Sequence, residues 1–133
     1  MANQKTVTIN NLNKNKEKKM SNSNGFLKTT IEALDYEPFM IGDKQAGEVH
    51  WLGTTNSSDQ PTFSGLWRCE PMQFDYEFPG DEYIHILQGE LLVETETKNY
   101  ELTKGDVVLF HKGIKSVWTI KSSFKKFFVI DNC

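Results

Sequence analysis

Cysteine is scarce, with two in 133 residues, Cys69 and Cys133. A secreted scaffold stapled by disulfides carries a denser, paired set, so the chain reads as the product of a reducing compartment, with cytoplasmic residence as the expectation. Arginine is nearly absent; Arg68 is the sole one. Long apolar runs are missing, and none approaches the ~18 residues of a membrane helix. The basic N-terminus has no apolar stretch after it and is not a secretory signal. Helix-period patterning is missing too. No Ser-His-Asp signature, phosphate loop or zinc pair is present.

Charge of one sign is also short where it would matter for nucleic acid. The net charge is −3. Residues 1–20 hold Lys5, Lys14, Lys16, Lys18 and Lys19 against Glu17, a net +4, which leaves −7 for the remainder. Nine acids and one lysine lie between Glu70 and Glu101. A body this acidic repels nucleic acid and anionic lipid, and neither is expected as a partner.

What the chain does have is aromatic and β-branched residues. Aromatics make up 12%, with nine Phe and three Trp. Residues 1–25 are rich in Asn, Lys and Ser and have little to bury. They are expected to form a disordered tail, because such a segment cannot offset its ordering entropy. Residues 26–133 are expected to form one domain. Phe26–Ile31 reads as a first strand, Pro38 and Gly42-Asp43 as breaks, and Thr30–Leu34 as the place for a single helical turn. From Glu48 onward, short alternating runs follow one another at ~8–12 residue spacing, the mark of an all-β sandwich or barrel. In Glu82–Leu87 the pattern puts Glu82, Ile84 and Ile86 on one face and Tyr83, His85 and Leu87 on the other. Met72, Phe74, Tyr76 and Phe78 share a face, with Gln73, Asp75 and Glu77 opposite.

An ordered set of residues points further. It comprises Gly65-Leu-Trp-Arg-Cys69, Phe74, Glu82 with Gly89-Glu90 after six intervening residues, Thr95, Gly105-Asp-Val with Phe110, Gly113, Trp118, and Lys125-Lys126 before an aromatic strand. Over residues 63–130 the chain resembles the cupins, and more closely the small single-domain cupins grouped with the (S)-ureidoglycine aminohydrolase cupin domain. The resemblance implies a double-stranded β-helix, a jelly-roll barrel, working as a homodimer.

Many cupins hold a divalent metal through two His two residues apart, a following Glu, and a third His from a second motif. Counting from Glu82 and Gly105, the paired His positions fall on Asp75 and Glu77 and the last on Ser116. Glu82 alone survives as a typical ligand, and is the candidate catalytic residue. Asp75, Glu77 and Glu82 would make an all-oxygen cluster suited to Mn2+ or Mg2+, with Mn2+ the first choice if a metal is present. The alternative is a metal-free protein with Asp75 and Glu77 on an exposed rim. Trp67, Glu77, Ser116 and Trp118 are the candidate ligand-binding residues, the tryptophans as aromatic walls or as plain core. Two functions stay open. One is a cupin that binds a small polar metabolite such as a ureide, with or without converting it. The other is a non-catalytic binding or dimerisation module that has lost the metal.

Overall fold

The computed structural model describes residues 25–133. The expected tail over residues 1–25 lies, apart from Gly25, outside the described residues. Ten strands make up the described chain: β1 (Glu37–Ile41), β2 (Lys44–Thr55), β3 (Pro61–Cys69), β4 (Met72–Glu77), β5 (Asp81–Gln88), β6 (Glu90–Thr95), β7 (Asn99–Thr103), β8 (Val107–Phe110), β9 (Lys115–Ile120) and β10 (Phe124–Asp131). They form a six-stranded sheet in the order β1-β2-β3-β10-β5-β8 and a four-stranded sheet in the order β4-β9-β6-β7. Every pairing is antiparallel. This is the all-β architecture that the alternating pattern predicts, and the jelly roll that the cupin resemblance implies. Among the described residues no helix is long and apolar enough to cross a membrane.

Alternation builds the core. On β5, Glu82, Ile84 and Ile86 are buried while Tyr83 and His85 are exposed. On β10, Phe124, Lys126, Phe128 and Ile130 are all buried. On β4, Phe74 and Tyr76 turn inward. These faces meet between the two sheets, where the aromatic rings interlock: Trp118 lies 5.1 Å from Tyr76 and 5.9 Å from both Phe74 and Trp67, centroid to centroid. Edge-to-face and offset pairs of this kind add to area burial.

Close backbone approach requires glycine at two junctions. A Cβ on Gly65 would sit 2.2 Å from the carbonyl oxygen of His50 on the neighbouring strand β2. Gly89, between β5 and β6, has φ +86°, and a Cβ there would meet the Ser123 carbonyl at 2.3 Å; only glycine takes that turn at low cost.

The N-terminal part of the domain departs from expectation. Phe26–Ile31 is not a strand. Residues 26–36 run irregularly, with one turn closed by Ala33 N–H donating to the Thr30 carbonyl at 3.0 Å. The strand lies later, at Glu37–Ile41, and includes Pro38. Proline is tolerated there because β1 is an edge strand, and a register shift falls between Pro38 and Met40. The 26–36 segment is tied to the outer side of the six-stranded sheet through His50, whose Nε2 is 2.6 Å from Thr29 Oγ1 and whose Nδ1 is 3.0 Å from the Asp35 carbonyl. Arg68 stacks on Tyr36 at 3.8 Å and pairs with Glu48 at 2.8 Å.

Candidate functional site

Two charged residues occupy apolar registers. Glu82 alternates with Ile84 and Ile86 on β5, and Lys126 alternates with Phe124, Phe128 and Ile130 on β10. Both therefore point between the sheets. Glu82 is 0% exposed and Lys126 5%. Their strands are neighbours, with Ile130 opposite Glu82 and Ile86 opposite Lys126. The lysine stem spans that offset, and Lys126 Nζ donates to Glu82 Oε2 at 2.5 Å. From the facing sheet, the Tyr76 hydroxyl donates to Glu82 Oε1 at 2.5 Å. Glu82 is thus the centre of a buried Tyr76–Glu82–Lys126 array, with each carboxylate oxygen holding one short hydrogen bond.

The surroundings of the array are aromatic. Lys126 Nζ lies 4.6 Å from the Trp118 ring centroid, 5.1 Å from that of Trp67 and 5.2 Å from that of Phe128, a cation–π cage. Burial pulls the Lys126 ammonium below its ordinary range, with the Glu82 charge opposing that shift. Burial first, and Glu82 second, push the Tyr76 phenol well above its ordinary range, so it stays a neutral donor. A lone ion in this setting would be costly; the pair survives because its partners are in contact and hydrogen-bonded.

A small pocket with a free volume of about 20 Å³ opens onto the array. Trp67, Phe74 and Trp118 form its aromatic wall, Phe39 and Ile41 come from the edge strand β1, and Phe128 and Ile130 from β10. The free centre is narrow and admits about one water-sized group. Trp67 is fixed by donating its indole N–H to the Ala46 carbonyl at 3.0 Å. Trp118 is 1% exposed, and its indole N–H has no acceptor among the described residues.

The other candidate residues fall elsewhere. Asp75 is exposed and lines a separate groove with Asp43, Lys44 and Gln73. Glu77 is half-buried, opposite Lys115 at the end of β4. Both occupy the strand face turned away from Tyr76, so Asp75, Glu77 and Glu82 are not brought together. Among the described residues no three His, Cys, Asp or Glu side chains form a metal-sized cluster. Counting back from Glu82 along a motif lands one residue off the inward face, where Phe74 and Tyr76 sit. Ser116 is buried beside Tyr76, but its hydroxyl donates to the Tyr76 carbonyl at 2.7 Å. Tyr76 and Lys126 are the functional candidates that sequence reasoning passed over. The available signal was a lysine in step with Phe124, Phe128 and Ile130.

Residues 57–128, which carry β10 as far as Phe128 together with the whole of the inward array, match the family of EutQ-like cupin domains. The chain is a EutQ-like cupin. Among solved structures, a putative ethanolamine utilization protein Q from Salmonella typhimurium superposes with TM-score 0.69 at 19% identity, covering 84% of this chain and 89% of its own. A cupin superfamily protein from Desulfitobacterium hafniense gives TM-score 0.53 at 19% identity, over 62% and 73% of the two chains. A DUF861 family protein from Thermotoga maritima is 33% identical over 49% of this chain and 75% of its own, with TM-score 0.47. No curated protein matches the chain. Cupin domains can hold metals, and the inward residues of this EutQ-like cupin are where a divalent ion would have to bind. They supply one carboxylate, and that carboxylate is engaged by an ammonium and a phenol. This donor set does not fit Mn2+, which favours several free oxygen ligands.

Proposed function

We propose that this EutQ-like cupin binds a small polar metabolite in its interior pocket, with the Tyr76–Glu82–Lys126 array as the polar anchor and Trp67 and Trp118 as the walls. The observation that carries the reading is the buried Glu82–Lys126 pair itself. A well-packed apolar pair in its place would be as stable or more so, so stability alone does not account for the charges. An aromatic pocket with a few convergent polar groups is the usual form of a small-molecule site. The array can orient a ligand and, through the neutral Tyr76 hydroxyl and the Glu82 carboxylate, pass a proton. The ureide implied by the family resemblance is one candidate of this class. The protein works in the cytoplasm as a homodimer, a reading supported by its two free thiols and by the exposed Tyr83, Val107 and Leu109 on β5 and β8.

The test is thermal unfolding against a panel of small metabolites, for the wild type and for Ile41→Trp, which fills the pocket from the edge strand. A ligand at ten times its Kd stabilises by about 1.4 kcal/mol, a Tm rise of about 6 °C for a domain this size. Stabilisation of the wild type and not of Ile41→Trp is expected. If nothing in the panel stabilises, or if both proteins respond alike, the interior site is wrong. A second reading, binding without turnover, is favoured by the ammonium on Glu82. Assaying consumption of the stabilising compound separates the two.

A further inference from the structure

The unpartnered N–H groups of the pocket belong to Lys126 and Trp118. An ammonium has three N–H donors, and among the described residues Lys126 has a single oxygen acceptor, Glu82 Oε2. The three rings around it offer π-faces and no oxygen. Trp118, 1% exposed, lines the same pocket, and its indole N–H has no acceptor among the described residues. Both Glu82 oxygens already hold short bonds. Buried donors left unpaired are costly, so the occupant must bring an acceptor.

The charge of that occupant is constrained as well. Glu82 and Lys126 sum to zero, and Tyr76 is held neutral by burial. An anionic ligand would place a second negative charge beside Glu82 in an apolar pocket. A cationic one would place a second positive charge beside the Lys126 ammonium. Either would carry the full penalty of an uncompensated buried charge.

We infer that the pocket selects a small neutral carbonyl compound, whose C=O oxygen accepts from the Lys126 ammonium and the Trp118 indole N–H while its apolar part lies against Trp67 and Phe128. The free centre, about the size of one water, suits a carbonyl oxygen. The rest of the ligand would extend toward the pocket mouth. This inference rests on the interior binding site proposed above and adds the chemical class of its occupant.

The test uses the full chain with 15N-labelled tryptophan, whose three indole N–H signals are assigned through Trp118→Phe. Acetone and acetamide, acetate as the isosteric anion, and methylammonium as the cation are titrated in turn. Acetone and acetamide are expected to move the Trp118 indole signal saturably and leave that of Trp51 in place. Acetate should need about tenfold or more higher concentration for the same shift. Lys126→Met should weaken the response to acetamide by about tenfold or more. If that variant does not fold, the wild-type comparison of carbonyl with carboxylate decides the matter. Acetate or methylammonium acting at equal or lower concentration would overturn the neutral-carbonyl inference and leave the interior site standing. No saturable movement with any of the four probes would overturn the inference. The metabolite panel, read independently, then decides whether the interior site falls with it.

Discussion

Removing Lys126 isolates a buried carboxylate. In Lys126→Met the thioether fills much of the lysine stem's volume, so the change is chiefly electrostatic. Glu82, 0% exposed, keeps Tyr76 as a donor and loses its counter-ion. Breaking one side of a buried pair costs about 3–5 kcal/mol. Residues 25–133 number 109, and at ~2.1 cal/mol/K per residue the unfolding entropy is ~0.23 kcal/mol/K, so the expected fall in Tm is about 13–22 °C. The assay is thermal unfolding followed by circular dichroism, with urea titration as a check on the slope. The informative control is Tyr76→Phe/Glu82→Leu/Lys126→Met, which removes the whole array together. Replacing a buried pair by apolar residues is near neutral, so the triple variant should recover most of the loss. A Tm change below about 4 °C for Lys126→Met, or a triple variant no better than the single, would show that the array does not sit in a low-dielectric interior.

Two further outcomes follow from described contacts. Burial raises the Cys69 and Cys133 thiols from 9.0 to about 11, and Tyr76 is raised too. The folded state therefore holds protons that the unfolded chain has released. That stability is fully present below pH 9 and is lost as pH rises toward 11. Tm should fall across this window, and less steeply in Cys69→Ala; a flat profile would refute it. His50→Ala removes the ties to Thr29 and Asp35 and should cost about 1–2 kcal/mol. Amide exchange should rise over residues 26–36 and stay unchanged on β5 and β10; uniform protection would count against the tether.

Much of the fold is legible because a strand has period two. The division of Glu82, Ile84 and Ile86 from Tyr83 and His85 follows from that alone and holds. The first strand is not legible in the same way. Phe26–Ile31 has strand composition, yet the ladder forms at Glu37–Ile41, because pairing partners on β2 decide the matter and Pro38 is harmless on an outer edge. The site is legible in half. Glu82 reads as an inward acid, but its partners come from β4 on the other sheet and from β10, 44 residues away, and the packing of two sheets leaves no local trace. Asp75 and Glu77 attract attention as acids at motif spacing, while the alternation that places Tyr76 inward contradicts that count. Lys126 escapes because lysine is ordinarily a solvated residue.

Strand β10 lies between β3 and β5 and is hydrogen-bonded to both. Those two strands share no ladder of their own, so the larger sheet stays in two pieces until residue 131 has been made. On the ribosome, the first half must wait with its aromatic inner face uncovered while the exit tunnel still holds the strand that will bridge it. The lysine that completes the interior arrives on that same strand. Nascent chains paused before Phe124 should thus be clients of holdase chaperones, and folding should be late and slow, as pairing across such sequence distances demands.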